Sequence, residues 1–386
     1  MRYLFPISPW NQQRQFEKPI FAFPAHLAMY ATYLRNQGYD VVWGNRLMYM
    51  DKDGGYNGDS LYGYRDLGDE EWQLQYKHYE PDNIIKDDFQ ISIPFNQLPY
   101  PDRTFTDAKN PRWQKYGNYR WHPATHMMAS NLCWWAGAKG CTFCIDSKKI
   151  IEGEPQQTRS VAHVIEEIDN LIHLGFREVF DDSGTFPIGK WLEEFCQEMG
   201  KNDRNRKIKI GINMKPIKLD FKMMANAGIR FTLVGVESAN QETLNRIQKG
   251  QHQPNVEKNL KAMADAGLLV HLTSMFGYEW ETHEDAMRTV HFIHRMLKKG
   301  YVKTAQASVY SPPRTAPDPH SKGHKYIPMI YDVYRNPEFL YRKIRDIKCW
   351  EDFTYLLRGG RLVFEENTRK LGKFGKKLYD HIALNK

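Results

Sequence analysis

Between residues 127 and 310 the apolar positions switch repeatedly between a period of about 2 and a period of about 3.6, as strands alternating with helices do. Met127–Leu132 reads as a strand. Ser160 then precedes a helix with Val161, Val164, Ile165, Ile168, Leu171 and Ile172 on one face, ended by Gly175. Glu178–Phe180 is a strand, 188–199 a helix, Lys207–Asn213 a strand, and Asp220–Ala227 a short helix closed by Gly228. Phe231–Val236 is a strand running into Glu237 and Ser238, followed by helices at Asn240–Ile247 and Asn255–Ala266 and a strand at Leu268–Met275. Thr282 and Asp285 form a capping-box pattern that opens a helix with Ala286, Val290, Ile293 and Leu297 on one face. Thr304–Val309 is the sixth strand. Alternation of this kind implies a parallel sheet with helices outside it. Six steps are too few to close an eight-fold barrel, so the predicted fold is α/β, a partial (β/α)6 barrel. Its chemistry belongs at the C-terminal ends of the strands.

The flanks are less regular. Residues 2–7 read as a strand, Pro24–Gln37 as a helix and Asp40–Trp43 as a strand, which together make one small α/β unit. Residues 51–126 show little periodicity; the turn-rich Asp51–Gly55 lacks the spacing and closing Glu of a calcium loop. After Pro312 and Pro313, helical patterns return at Phe339–Ile347 and Trp350–Leu357. The expected plan is an N-terminal region over 1–125, a core over 126–311 and a C-terminal basic helical extension over 312–386.

Composition changes this picture little. Of 386 residues, 41% are hydrophobic and 26% charged, as in ordinary globular proteins, and aromatic residues reach 13%. No apolar run approaches the ~18 residues of a membrane helix, and Met1–Pro6 lacks a signal-peptide apolar region. A cytoplasmic protein with no membrane partner is the expectation. The formal charge of +8 is concentrated in Arg369–Lys386, where Asp380 is the single acidic residue. Such a tail is most simply a solvated end, and contact with nucleic acid stays open.

Cysteine placement is the strongest chemical signal. Three of the five cysteines, Cys133, Cys141 and Cys144, fall within twelve residues, whereas Cys196 lies in an apolar-periodic helix and Cys349 stands alone. Clustered thiols in a reducing compartment point to metal chemistry rather than disulfides. Zinc takes four ligands, so it would need a distant fourth such as His122 or His126. Three thiolates on one loop also suit an iron–sulfur cluster with one iron left open. His291 and His294, three apart on a helix, have no carboxylate pattern beside them and read as surface or packing residues.

Several stretches, in the right order, carry a resemblance. They are Cys133-Trp-Trp-Ala-Gly-Ala-Lys-Gly-Cys141-Thr-Phe-Cys144, Phe180-Asp-Asp-Ser-Gly-Thr-Phe186, Gly235-Val-Glu-Ser238 through Gly250, Met275–Asp285 and Ser311–Pro317. Residues 127–310 thereby resemble the radical S-adenosylmethionine (SAM) superfamily. The gap of seven residues between the first two cysteines departs from the usual Cys-x3-Cys-x2-Cys and is similar to a variant found in members with a cobalamin-binding domain. The resemblance implies a [4Fe-4S] cluster on Cys133, Cys141 and Cys144, with SAM bound at the open iron. It implies SAM contacts from Phe143, Asp181, Asp182, Ser183, Asn213, Glu237 and Ser238. It further implies reductive cleavage of SAM to a 5′-deoxyadenosyl radical that takes a hydrogen atom from a substrate, with a one-electron donor such as flavodoxin or ferredoxin as partner. Pro24–Asn45 and Phe95–Arg103 resemble the opening and the linker of a cobalamin-binding domain, but the Asp-x-His-x-x-Gly motif is absent. A shortened region that has lost cobalamin is expected; a cobalamin-dependent methyltransferase and a non-catalytic zinc or iron–sulfur protein are the alternatives.

Overall fold

Six parallel strands carry the centre of the protein, each hydrogen-bonded to the next in chain order. They are β6 (Ala124–Met127), β7 (Glu178–Asp181), β8 (Lys209–Met214), β9 (Ile229–Glu237), β10 (Leu269–Phe276) and β11 (Thr304–Val309). Strands β6 and β11 are the two edges, so the sheet is an open partial barrel. The structure is a computed structural model. It describes residues 23–43, 93–109, 114, 119–315 and 318–357, together with the backbone of the strand segments at 2–7, 40–45, 47–49, 64–66 and 83–84. The turn-rich stretch at 51–59 and the basic tail at 369–386 lie outside the described residues.

In the first part of the chain, β1 (Arg2–Ile7) pairs in parallel with β2 (Asp40–Asn45) and with β5 (Asn83–Ile84), and helix α1 (Ala25–Asn36) connects β1 to β2. Strands β3 (Leu47–Tyr49) and β4 (Tyr64–Asp66) form a separate antiparallel pair. Phe23, Met29 and Leu34 of the α1 region join the same apolar cluster as the barrel helices.

Period-2 alternation divides the strand side chains between two cores. Val179, Ile210, Ile212, Val234, Val270 and Leu272 face the outer helices and belong to the large core. Ala124, Phe180 and Phe231 face inward and form a small cluster with Tyr119. Phe180 has room there because residue 211 is glycine: a Cβ would stand 2.6 Å from its ring.

The outer helices begin where their caps predict. Ser160 accepts from the His163 N–H at the start of Val161–His173, and Asp220 accepts from the Met223 N–H at the start of Phe221–Asn226. Thr282 and Asp285 make a reciprocal capping box at the start of His283–Lys299. Beyond β11, helices at Ile327–Tyr331 and Pro337–Arg345 pack back on the barrel through Ile330, Val333 and Phe339. Residues 350–357 are helical as the pattern indicated.

One strand lies elsewhere than its apolar pattern suggests. The first barrel strand is Ala124–Met127, not Met127–Leu132. Past Met127 the backbone donors leave the ladder for side chains: the Ala129 N–H donates to Asp181 Oδ2 at 2.7 Å and the Ser130 N–H to Ser183 Oγ at 2.8 Å.

Candidate functional site

The cysteine loop leaves the C-terminal end of β6 as two short helices, α2 (Trp134–Ala138) and α3 (Ile145–Ile151). Cys133 occupies the capping position of the first and Cys144 that of the second, so both side chains are fixed relative to helix starts. Gly140 closes the turn with φ +73°, and a Cβ there would stand 2.8 Å from Ser147 Oγ.

Three contacts pin Cys133. Its N–H donates to Asp146 Oδ2 at 2.8 Å, its Sγ lies 2.9 Å from Thr185 Oγ1, and Gly184 packs flush against it. A Cβ on residue 184 would fall 1.9 Å from Asp146 Oδ2 and 3.0 Å from the Cys133 amide nitrogen. The loop after β7 is thus fitted to the first cysteine. Cys141 is buried, and burial pushes its thiol up while Lys249 and Lys215 pull it down. Burial, reinforced by the Asp146 carboxylate, pushes the Cys144 thiol up to about 11.

The far side of the loop is clasped by residues 247–250. The Thr142 N–H donates to the Ile247 carbonyl at 3.1 Å, and Trp135 Nε1 donates to the Gln248 carbonyl at 3.0 Å. Gly250 lies under the Trp135 ring, with φ +62° and its absent Cβ 2.1 Å from Cζ2. Two lysines are buried behind this clasp. Lys249 Nζ donates to Glu237 Oε1 at 2.7 Å; burial works against its charge, but Glu237 and Cys141 hold it above the ordinary lysine value. Lys215 Nζ donates to the Lys249 carbonyl at 2.5 Å and sits 3.5 Å from the Trp135 ring centroid; burial and then Lys249 lower it to about 8. Gly235 makes room for the Glu237–Lys249 pair, since a Cβ there would stand 2.4 Å from Glu237 Oε1.

The residues singled out from the sequence divide into two groups. Asp181 accepts from the amides of Ala129 and Ser183, and burial holds its carboxyl up at about 7. Ser183 Oγ is taken by the Ser130 amide, and Ser238 Oγ by the Asn240 amide. Glu237 is committed to Lys249, on a backbone with φ +63°. These four hold the polypeptide itself. Asp182, Asn213 and Phe143 are only partly buried. Asp182 pairs with His126 Nδ1 at 2.5 Å, Asn213 Nδ2 donates to the Ser183 carbonyl at 3.0 Å, and Phe143 packs beside Leu244, Ile247 and Tyr278.

The histidines considered for zinc are engaged elsewhere: His126 with Asp182, and His122 with Gln114 Oε1 at 3.2 Å. His294 bonds to the Met329 carbonyl, and Cys196 is in the core. Among the described residues, no three His, Cys, Asp or Glu side chains converge as ligands of one metal ion. Sequence reasoning missed Asp146, Thr185, Lys215, Lys249 and the ring group beside Phe143, in which Tyr278 stacks on Trp280 and Tyr310 packs tilted against both. The lysines carry no sequence signal, because only the closing of the barrel buries them.

The structure is an open parallel barrel with a three-cysteine loop at the C-terminal end of its first strand. Residues 132–293 match the family model of the Radical SAM superfamily. Proteins of this superfamily use a [4Fe-4S] cluster and SAM. Among solved structures, the cobalamin-dependent SAM radical enzyme OxsB, with aqua-cobalamin and SAM bound, is similar over 88% of this chain and 56% of its own, at TM-score 0.54 and 14% identity. The radical SAM methyltransferase TsrM from Kitasatospora setae, with cobalamin and a [4Fe-4S] cluster bound, is similar over 80% of this chain and 74% of its own, at TM-score 0.51 and 12% identity. This chain therefore spans little more than half the length of OxsB. No curated protein sequence gives a significant match. No helix among the described residues is long and apolar enough to cross a membrane.

Proposed function

We propose that the chain is a radical SAM enzyme whose Cys133, Cys141 and Cys144 hold the [4Fe-4S] cluster. The carrying observation is the fit between the loop after β7 and Cys133, through Thr185, Gly184 and Asp146. The donor set suits the group: three cysteine sulfurs lie on one loop at the end of β6. Burial that raises the Cys141 and Cys144 thiols makes loading release protons, because the ligand form is the thiolate.

Cys133, Cys141 and Cys144 would hold the cluster, which when bound would supply the electron for reductive cleavage of SAM to methionine and a 5′-deoxyadenosyl radical able to take hydrogen from a substrate. The chain's own residues position and shield. Phe143 offers an apolar face at the loop, and Asp182 and Asn213 present polar groups at the ends of β7 and β8. Asp181, Ser183, Glu237 and Ser238 act by fixing those strand ends. Tyr278, Trp280 and Tyr310 wall off the rim. In this reading 126–311 is the catalytic core, 1–125 an N-terminal α/β region and 312–386 an extension. The anaerobic test is reconstitution with iron and sulfide, then dithionite and SAM. Brown cluster absorbance and 5′-deoxyadenosine are expected in the wild type and in Cys196→Ala. Both should vanish in Cys133→Ala, Cys141→Ala and Cys144→Ala; a wild type lacking both contradicts the proposal.

A second reading is favoured by the parallel β2-β1-β5 sheet with α1 packed on it. The likeness to cobalamin-carrying structures extends over most of the chain, so the absent Asp-x-His-x-x-Gly motif weighs less against cobalamin than the sequence suggests. Cobalamin held without a histidine ligand fits this arrangement. Equilibrium binding of hydroxocobalamin decides: micromolar saturation supports a cobalamin-dependent enzyme, and no binding removes that reading.

A further inference from the structure

The outer surface of the cysteine loop is neither packed nor electrically neutral. Ile145, directly after Cys144, is 37% exposed, and Ile151 at the end of the same short helix is 85% exposed. On the helical wheel Lys148 falls between them, at 60° from each on a 100° step. The close passage of Gly140 over Ser147 brings the end of α2, with exposed Gly137, Ala138 and Lys139, against the middle of α3. The local acids are already engaged. Asp146 turns inward to the Cys133 amide, Glu152 makes a two-pronged pair with Arg314 at 2.9 Å, and Glu154 pairs with Lys149 at 3.5 Å. Lys139 and Lys148 have no ion pair among the described residues. The result is two exposed isoleucines with one uncompensated cation, Lys148, between them and a second, Lys139, on the adjoining helix end, the group starting one residue from Cys144 and two from Cys141.

Ile145 and Ile151 beside two lysines without ion pairs offer a docking protein apolar atoms to desolvate and charges to steer it. Its place narrows the partner. Nothing in the radical reading needs a macromolecule next to Cys141 and Cys144 except the source of the electron, and electron transfer falls steeply with distance. We propose that Ile145, Lys148, Ile151 and Lys139 form the docking surface for a small acidic protein that carries a one-electron redox group. This rests on the radical SAM reading of the loop. The step is electron transfer alone: the carrier is oxidised by one electron, the cluster is reduced by one, and no bond or proton moves at the patch.

The test uses the reconstituted full chain, with a flavodoxin kept reduced by its NADPH-dependent reductase as probe. Binding is read from anisotropy of the labelled flavodoxin, and turnover from 5′-deoxyadenosine formed with flavodoxin or with dithionite. Lys139→Glu/Lys148→Glu should weaken binding and slow flavodoxin-driven turnover by about tenfold or more, while dithionite-driven turnover stays at the wild-type level. Ile151→Ser should weaken binding without changing its salt dependence. Wild-type binding should itself weaken steeply as salt rises from about 0.05 to about 0.5 M. Unchanged binding in the charge-reversed variant overturns the proposal. So does an equal loss with both reductants, which would make the patch a support of the cluster. A change of oligomeric mass with flavodoxin binding intact also overturns it and makes the patch a contact between copies. Failure of the wild type with dithionite counts against the radical reading instead, and the anisotropy arm still decides the patch.

Discussion

Replacing Lys249 by Met probes how the site is held. The ammonium and the Glu237 carboxylate meet at 2.7 Å with side chains 10% and 7% exposed. At an effective dielectric of about 20, attraction at that separation is about 6 kcal/mol gross. Desolvation costs several kcal/mol per ion, so the intact pair comes close to balance. The variant does not. Glu237 stays where the β9 backbone and the bulge opposite Thr273 and Ser274 place it, now without its partner. Stripping one member from a buried pair costs about 3–5 kcal/mol. Changing Glu237 to Gln as well removes the stranded charge and should bring the total cost down to about 1–2 kcal/mol, that of a poorly satisfied amide. The assay is urea unfolding of the metal-free protein, with midpoints compared at constant slope. Iron retained after reconstitution gives a second readout, because residues 247–250 clasp the cysteine loop. A Lys249→Met loss below about 1 kcal/mol, or a double variant no better than the single, would refute the reasoning.

Three further substitutions address neighbouring contacts. Gly250→Ala drives a Cβ into the Trp135 ring at a backbone with φ +62°; a loss of about 2–3 kcal/mol in urea midpoint and a fall in bound iron are expected, and wild-type values for both contradict the clasp. Gly184→Ala displaces Asp146 from the Cys133 amide; iron content after reconstitution should fall several-fold while far-ultraviolet circular dichroism stays native, and full loading contradicts the fit seen at Cys133. Asp181 has a folded-state carboxyl raised by burial to about 7 from the ordinary 3.8, so its contribution to stability is complete below the unfolded value and is lost as pH rises through 7. Relative to wild type, Asp181→Asn should therefore gain stability as pH increases from about 4 to about 8, and a stability gap that does not change with pH contradicts that assignment.

Local signals resolved most of the barrel. Thr304–Val309 is a strand with the bounds its pattern suggested, and the capping box at Thr282 opens its helix, because both are decided by residues close in sequence. The first strand was displaced because Met127–Leu132 is apolar enough for a strand, yet its amides are claimed by Asp181 and Ser183, more than fifty residues away. The same distance effect governs the site. Three cysteines within one loop are visible in the sequence. Thr185 and Gly184 reach Cys133 only through the pairing of β6 with β7, and Lys249 reaches Glu237 only after the chain turns back from the helix at Gln241–Arg246. Asp181, Ser183, Glu237 and Ser238 stood out as polar residues at strand ends, and in the structure each bonds to neighbouring polypeptide there.

Electron paramagnetic resonance of the dithionite-reduced protein, with and without SAM and with iron counted on the same sample, tests the central claim most directly. The account predicts about four irons per chain, a reduced-cluster signal that shifts when SAM binds the open iron, and loss of both in the Cys133→Ala variant. One metal ion per chain, or a cluster signal indifferent to SAM, would contradict it.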